Sequence, residues 1–142
     1  VGEQNPHGAD PAFALYPLPE RATGGRLAAI LGMTASQYLR TFDRANLLDP
    51  GVRWRAMDAR IAAHRLPHDR RILLGRRVAE AHGVQFDCFE PYEIALGRSD
   101  RPAIVLVLPH PSGLNRMWND PDNLRRARET VTEFLETQCS TA

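Results

Sequence analysis

A chain of 142 residues, 43% hydrophobic and 25% charged, has room for one packed domain and too few residues for two ordinary ones. The formal net charge of +1 supplies no global field drawing the protein onto nucleic acid, so any anion-binding surface has to be local. All 18 cationic side chains are arginine, which excludes a P-loop lysine on a phosphate and Schiff-base chemistry by a side-chain amine.

The chain opens at Val1 without a methionine, and a first strand cut short upstream is expected before Gln4-Asn5-Pro6-His7-Gly8. The segment to Pro19, with Phe13, Tyr16 and several prolines, reads as a long ordered loop, a class of segment that tends to be functional. Leu27, Ile30 and Leu31 at helical spacing predict a helix from Thr23 that ends at Gly32, and Thr34 caps a second short helix through Arg40. Thr41 to Leu48 reads as a short strand closed by the turn Asp49-Pro50-Gly51. An amphipathic helix follows from Ala56 to Leu66, stopped by Pro67. Arg71 to Gly75 is then a short buried strand, and Arg76 to His82 a helix stopped by Gly83. Phe86 to Leu96 alternates irregularly about Pro91, as a hairpin or a loop would. Ala103 to Leu108 is a continuous apolar run, the pattern of a parallel strand buried on both faces, and a helix closes the chain from about Asp122 to Thr137.

Strands alternating with helices predict an α/β domain, a three-layer α/β/α arrangement about a short, mainly parallel sheet. Cys88 and Cys139 are too few for a four-thiolate cluster or a disulfide framework, so a reducing, cytoplasmic compartment is expected. No stretch approaches the roughly 18 apolar residues of a membrane span, and no signal peptide is visible. Eight arginines lie between Arg53 and Arg77 against Asp58 and Asp69; solvated helix faces explain most such runs, with a fraction left to steer a phosphate backbone. His64 and His68 are four apart, but Pro67 intervenes and no third ligand is near, so no metal is expected.

Two loops stand out, Gln4-Asn5-Pro6-His7-Gly8 and His110-Pro111-Ser112-Gly113-Leu114-Asn115-Arg116, each leaving the end of a predicted strand. In a parallel sheet both ends lie on one edge, so the two loops face a common crevice. Together and in this order they resemble the two signature motifs of the uracil-DNA glycosylase superfamily. Tyr16, Gly24-Gly25-Arg26-Leu27, Asn46-Leu47 and Ile72-Leu73-Leu74-Gly75-Arg76-Arg77 fall where members carry a stacking aromatic, a Gly-Arg helix start, a base-reading Asn and a Leu-Gly strand exit. Asn5-Pro6 in the first loop and Gly113-Leu114 in the histidine loop resemble the mismatch-specific branch, and His110 resembles the classical uracil-excising branch. The cluster-bearing branch needs four cysteines and is excluded.

The resemblance implies a cofactor-free, monomeric enzyme acting on a base flipped out of single- or double-stranded DNA. His110 would donate a hydrogen bond to the departing base at O2, and Asn5 would hold the attacking water, though it can neither take a proton nor offset positive charge. Gln4 would contribute mainly backbone contacts to the base, Tyr16 or its rival Phe13 would stack on it, and Asn46 would read its edge. For Asn46 the alternative is a buried amide satisfying backbone at a strand end. Leu114 would fill the vacated stack, and Ser112, the Gly113 amide and Arg116 would hold flanking phosphates. Uracil is the default base, with a modified pyrimidine the other choice. Without lysine a water-using, monofunctional hydrolysis is expected. Two other classes stay open, a non-catalytic binder of flipped or single-stranded bases and an α/β protein that binds a free nucleoside or nucleotide.

Overall fold

The computed structural model describes residues 1–5, 9–95 and 102–137. Pro6, His7 and Gly8 of the first loop, Leu96 at the end of the irregular segment, and Cys139 lie outside them. The elements run β1 (Gly2–Gln4), α1 (Thr23–Ile30), α2 (Ala35–Thr41), β2 (Asn46–Leu48), α3 (Ala56–Arg65), β3 (Arg70–Leu74), α4 (Arg76–Ala81), β4 (Pro91–Ile94), β5 (Ala103–Leu108) and α5 (Pro121–Glu136). Short 3-10 turns cover Pro11–Phe13 and Arg116–Asn119.

Local chemistry sets these boundaries. Gly32 follows α1 at φ +68°, a conformation glycine takes without strain. Thr34 and Gln37 form a reciprocal capping box at the start of α2, with bonds of 3.1 and 2.8 Å that satisfy two otherwise orphaned amides. Asp120 caps α5, with Pro121 in its first turn. The irregular segment resolves into β4, antiparallel to β5.

β1 pairs with β2 and β3 with β5, both parallel, and β4 forms the antiparallel edge. The two ladders join through Val1, whose amine donates to the Ile72 carbonyl at 2.6 Å and whose carbonyl accepts from the Leu74 amide at 3.0 Å. That staggered pattern is the parallel one, so β2, β1, β3 and β5 all run the same way and end on one edge.

The β5 run has helices on both sides, as its lack of alternation predicted. Leu106 and Leu108 pack with Leu74 against Leu27 and Ile30 of α1, Tyr38 of α2 and Val131 and Phe134 of α5. Val105 and Val107 pack with Leu73 against Ala59 and Ala63 of α3 and Val78 and Ala79 of α4. The molecule is therefore a small α/β sandwich of three layers. Each fully buried aliphatic side chain of β5 contributes about 1.5–3 kcal/mol.

Between α3 and α4 the second layer buries a polar pair. His82 places Nδ1 2.8 Å from the Val78 carbonyl and Nε2 3.2 Å from Arg71 Nη1, so the neutral ring donates from Nδ1 and accepts at Nε2. Burial, helped by the Arg71 guanidinium and opposed by the Val78 carbonyl, lowers its pKa to about 4. The unfolded chain binds a proton near pH 6.5 that the folded protein refuses, so this stability is complete above pH 6.5 and is lost as pH falls from there towards 4. The loss amounts to about 3 kcal/mol. Urea midpoints should fall across that window, and NMR at pH ~5.5 should find the His82 ring neutral in the folded protein.

Candidate functional site

The exit of β5 is the most rigidly built part of the carboxyl edge. His110 sits between Pro109 and Pro111, both fully buried. Its carbonyl accepts two side-chain donors, Asn115 Nδ2 at 3.0 Å and the Trp118 indole Nε1 at 3.0 Å. Asn115 also donates its amide to the Ser112 carbonyl at 3.0 Å and caps the Arg116–Asn119 turn through Oδ1. Trp118 in turn meets the buried Phe89 ring edge-on at 6.3 Å. Trp118, beyond the histidine loop itself, is thus part of its anchor.

Within that loop the Ser112 amide donates to His110 Nδ1 at 3.1 Å. An imidazole that accepts at Nδ1 carries its hydrogen on Nε2, which has no acceptor among the described residues. Partial burial lowers the His110 pKa, and the Glu3 carboxylate pulls it up. The result is a neutral ring with one aimed donor. Gly75 makes the room for it: its amide donates to the Leu108 carbonyl at 2.9 Å, its φ is +90°, and a Cβ there would stand 3.2 Å from His110 Cβ.

At the exit of β1, Gln4 and Asn46 find partners within the protein. Gln4 Nε2 donates to the Asp49 and Val52 carbonyls at 2.6 and 2.5 Å, pinning the turn after β2. Asn46 Nδ2 donates to Asn5 Oδ1 at 2.9 Å, and its own Oδ1 lies against Gly2, where a side chain would collide with it. Asn46 therefore orients Asn5. One lone pair of Asn5 Oδ1 is consumed in the process.

The aromatic loop is held from beneath. A side chain at Gly24 would collide with the Leu15 and Tyr16 carbonyls, and Tyr38 Oη donates to the Leu15 carbonyl at 3.1 Å. Phe13 and Tyr16 meet edge-on at 5.1 Å, and the Arg44 guanidinium lies 5.1 Å from the Tyr16 ring centre. Phe13, 55% exposed, is the more accessible of the two.

Leu114 is 93% exposed at the tip of the histidine loop, and the Leu114 amide donates to Ser112 Oγ at 3.2 Å. Arg116 is exposed beside it. Arg26, on α1, reaches across so that its guanidinium fills the space a side chain at Gly113 would take. Glu3 places Oε2 3.7 Å from Arg77 Nη1 on α4. The sequence assigned no role to Glu3, Asn115 or Trp118, and placed Arg26 only at a helix start. The available signals were that Glu3 lies within two residues of Asn5 and that Asn115 lies three residues beyond Ser112.

Half of the arginine run is structural. Arg71 is 5% exposed and spends its guanidinium on backbone carbonyls; Arg70 donates to the Phe134 carbonyl; Arg76 and Arg77 lie over the Phe86 and Trp54 rings. Arg53, Arg55, Arg60 and Arg65 face solvent. His68 pairs with Asp43 at 2.8 Å, and no group of metal-binding side chains assembles among the described residues. A cavity of about 820 Å³ opens near Tyr38, Phe42, Arg70 and Phe134, where the strands begin. It lies at the opposite edge from the two loops and shares none of their polar groups. No described helix is long and apolar enough to cross a membrane. No protein-family model, curated protein or solved structure matches this chain.

Proposed function

We propose that this protein is a monofunctional DNA glycosylase that hydrolyses the N-glycosidic bond of uracil or a related pyrimidine flipped out of DNA. The observation that carries the reading is the His110 imidazole, held neutral with Nε2 as its donor by the Ser112 amide. Breaking the bond to a pyrimidine leaves negative charge on the base, chiefly on O2, and a fixed neutral donor stabilises that charge as it forms. A donor already oriented by its own loop needs no reorganisation when the charge appears.

The other residues fit supporting roles. Phe13 or Tyr16 supplies a face for the extruded base, and Asn5, oriented by Asn46, positions water. Leu114 enters the stack the base has left, while Arg26, Arg116 and the Gly113 amide take flanking phosphates. With no lysine the sugar is left as an intact abasic site. The test is release of free base from a uracil-containing oligonucleotide, scored by alkaline cleavage at the site left behind.

The wedge role gives a separate expectation. Leu114→Ala should slow release from duplex by about tenfold, equivalent to ~1.4 kcal/mol, and from single strands by much less, because only the duplex has a stack to fill. Equal slowing on both substrates counts against it.

A second reading, a binder of flipped or single-stranded bases without turnover, is favoured by one observation. The Asn5 oxygen that would hold water already accepts from Asn46. Tight binding of uracil-containing DNA with no base release supports it.

A further inference from the structure

We propose that Glu3 is the carboxylate that accepts the proton of the attacking water and faces the positive charge developing on the sugar. The inference rests on the glycosylase reading above and supplies what Asn5 lacks, an ionised group at the first loop.

The ladder geometry puts Glu3 in the right place. The Val1 amine on the Ile72 carbonyl and the Leu74 amide on the Val1 carbonyl set Val1 opposite Leu73 in parallel register, which brings Glu3 opposite Gly75. Gly75 is also the residue against which His110 packs, at 3.2 Å from a notional Cβ. Glu3 and His110 therefore flank a position without a side chain, at the exits of β1, β3 and β5. Neighbouring strands lie about 4.8 Å apart, so the outer two are separated by about 10 Å, room for a sugar and a water between two side chains.

The chemistry of the groups agrees. The Glu3 carboxylate is close enough for its charge to act on His110. Its one ionic partner among the described residues is Arg77, at a loose 3.7 Å from Oε2, so acceptor capacity remains on both oxygens. Asn5 Oδ1 is engaged by Asn46 and has no proton affinity to offer. In the step proposed, the water oxygen bonds to the anomeric carbon as the bond from that carbon to the base nitrogen breaks. The bonding pair leaves with the base, where His110 Nε2 donates to O2. The water proton passes to Glu3 and from there to the departing base or solvent. The products are the free base and a sugar bearing a hydroxyl at the anomeric carbon.

The experiment is single-turnover base release from a uracil oligonucleotide by wild type, Glu3→Gln, Glu3→Asp, Asn5→Asp and the double variant Glu3→Gln with Asn5→Asp. General-base catalysis accounts for about 10²–10⁴-fold in rate, so Glu3→Gln should fall by at least about 10²-fold with its Kd for the oligonucleotide nearly unchanged. Glu3→Asp should keep part of the rate. The double variant should regain at least about tenfold over Glu3→Gln, because it returns a carboxylate to the same crevice from the neighbouring position. Asn5→Asp alone, with Glu3 still present, should gain far less than this; beside a merely structural glutamate it would gain as much. Glu3→Gln as fast as wild type, or slow and not rescued, overturns the role of Glu3 while leaving the glycosylase reading in place. A wild type that releases no base overturns both.

Discussion

Replacing His110 with alanine is expected to lower the single-turnover rate of base release by about 10²–10³-fold, the loss typical of removing one preorganised oxyanion donor, or ~2.7–4 kcal/mol of barrier. Binding of the same oligonucleotide should change little. The reason lies in how the loop is held. Asn115 and Trp118 grip the His110 carbonyl, a main-chain atom that the substitution leaves in place, and Asn115 ties itself to Ser112 through backbone. Only the Ser112 amide loses its partner, and it is part-exposed. Leu114, Gly113 and Arg26 thus keep their arrangement while the donor disappears. An alanine variant that releases base at the wild-type rate would remove His110 from the mechanism.

Arg71→Leu is expected to cost about 3 kcal/mol or more of folding stability, with no direct part in the crevice. Arg71 lies on β3, yet it terminates α3. Nη1 donates to the Ala63 carbonyl at 2.6 Å, Nη2 to the Leu66 carbonyl at 2.9 Å and Nε to the His68 carbonyl at 2.6 Å. The last carbonyls of a helix have no partner within it, and Pro67 lacks the N–H that would help satisfy them. The same guanidinium serves His82 Nε2. A leucine would fill part of the volume and leave these acceptors unsatisfied, at about 1–3 kcal/mol for each that water cannot reach. Lysine is no substitute, since one ammonium cannot span the fork. Urea unfolding of the variant measures the effect, and a loss below about 1 kcal/mol would contradict this account of the α3 terminus.

Much of the fold was legible because its signals are local. The Thr34–Gln37 capping box, the glycines at 32 and 83, and the apolar run of β5 each act within a few residues, and each marks its element in the sequence. The convergence of the two loops was also legible, since parallel strands must end on one edge. The side-chain partners at that edge were not. Asn46 reaches Asn5 across 41 residues, and Trp118 reaches the His110 carbonyl across a turn with no periodic pattern. The arginine run misled for a related reason: a guanidinium that satisfies buried carbonyls looks, in sequence, like one that faces solvent. Glu3 carried no role in the sequence because its relation to His110 passes through Gly75, on a strand some seventy residues away.

The reading as a whole turns on whether a flipped pyrimidine is cut from its sugar. Wild-type protein incubated with end-labelled oligonucleotides, each carrying one uracil, mispaired thymine, hypoxanthine, xanthine or 5-substituted pyrimidine, and then treated with alkali, puts the question directly. The account predicts free base in solution and an alkali-labile site at uracil or a closely related pyrimidine, with the strand uncut before alkali. No release from any pyrimidine under single-turnover conditions would contradict it.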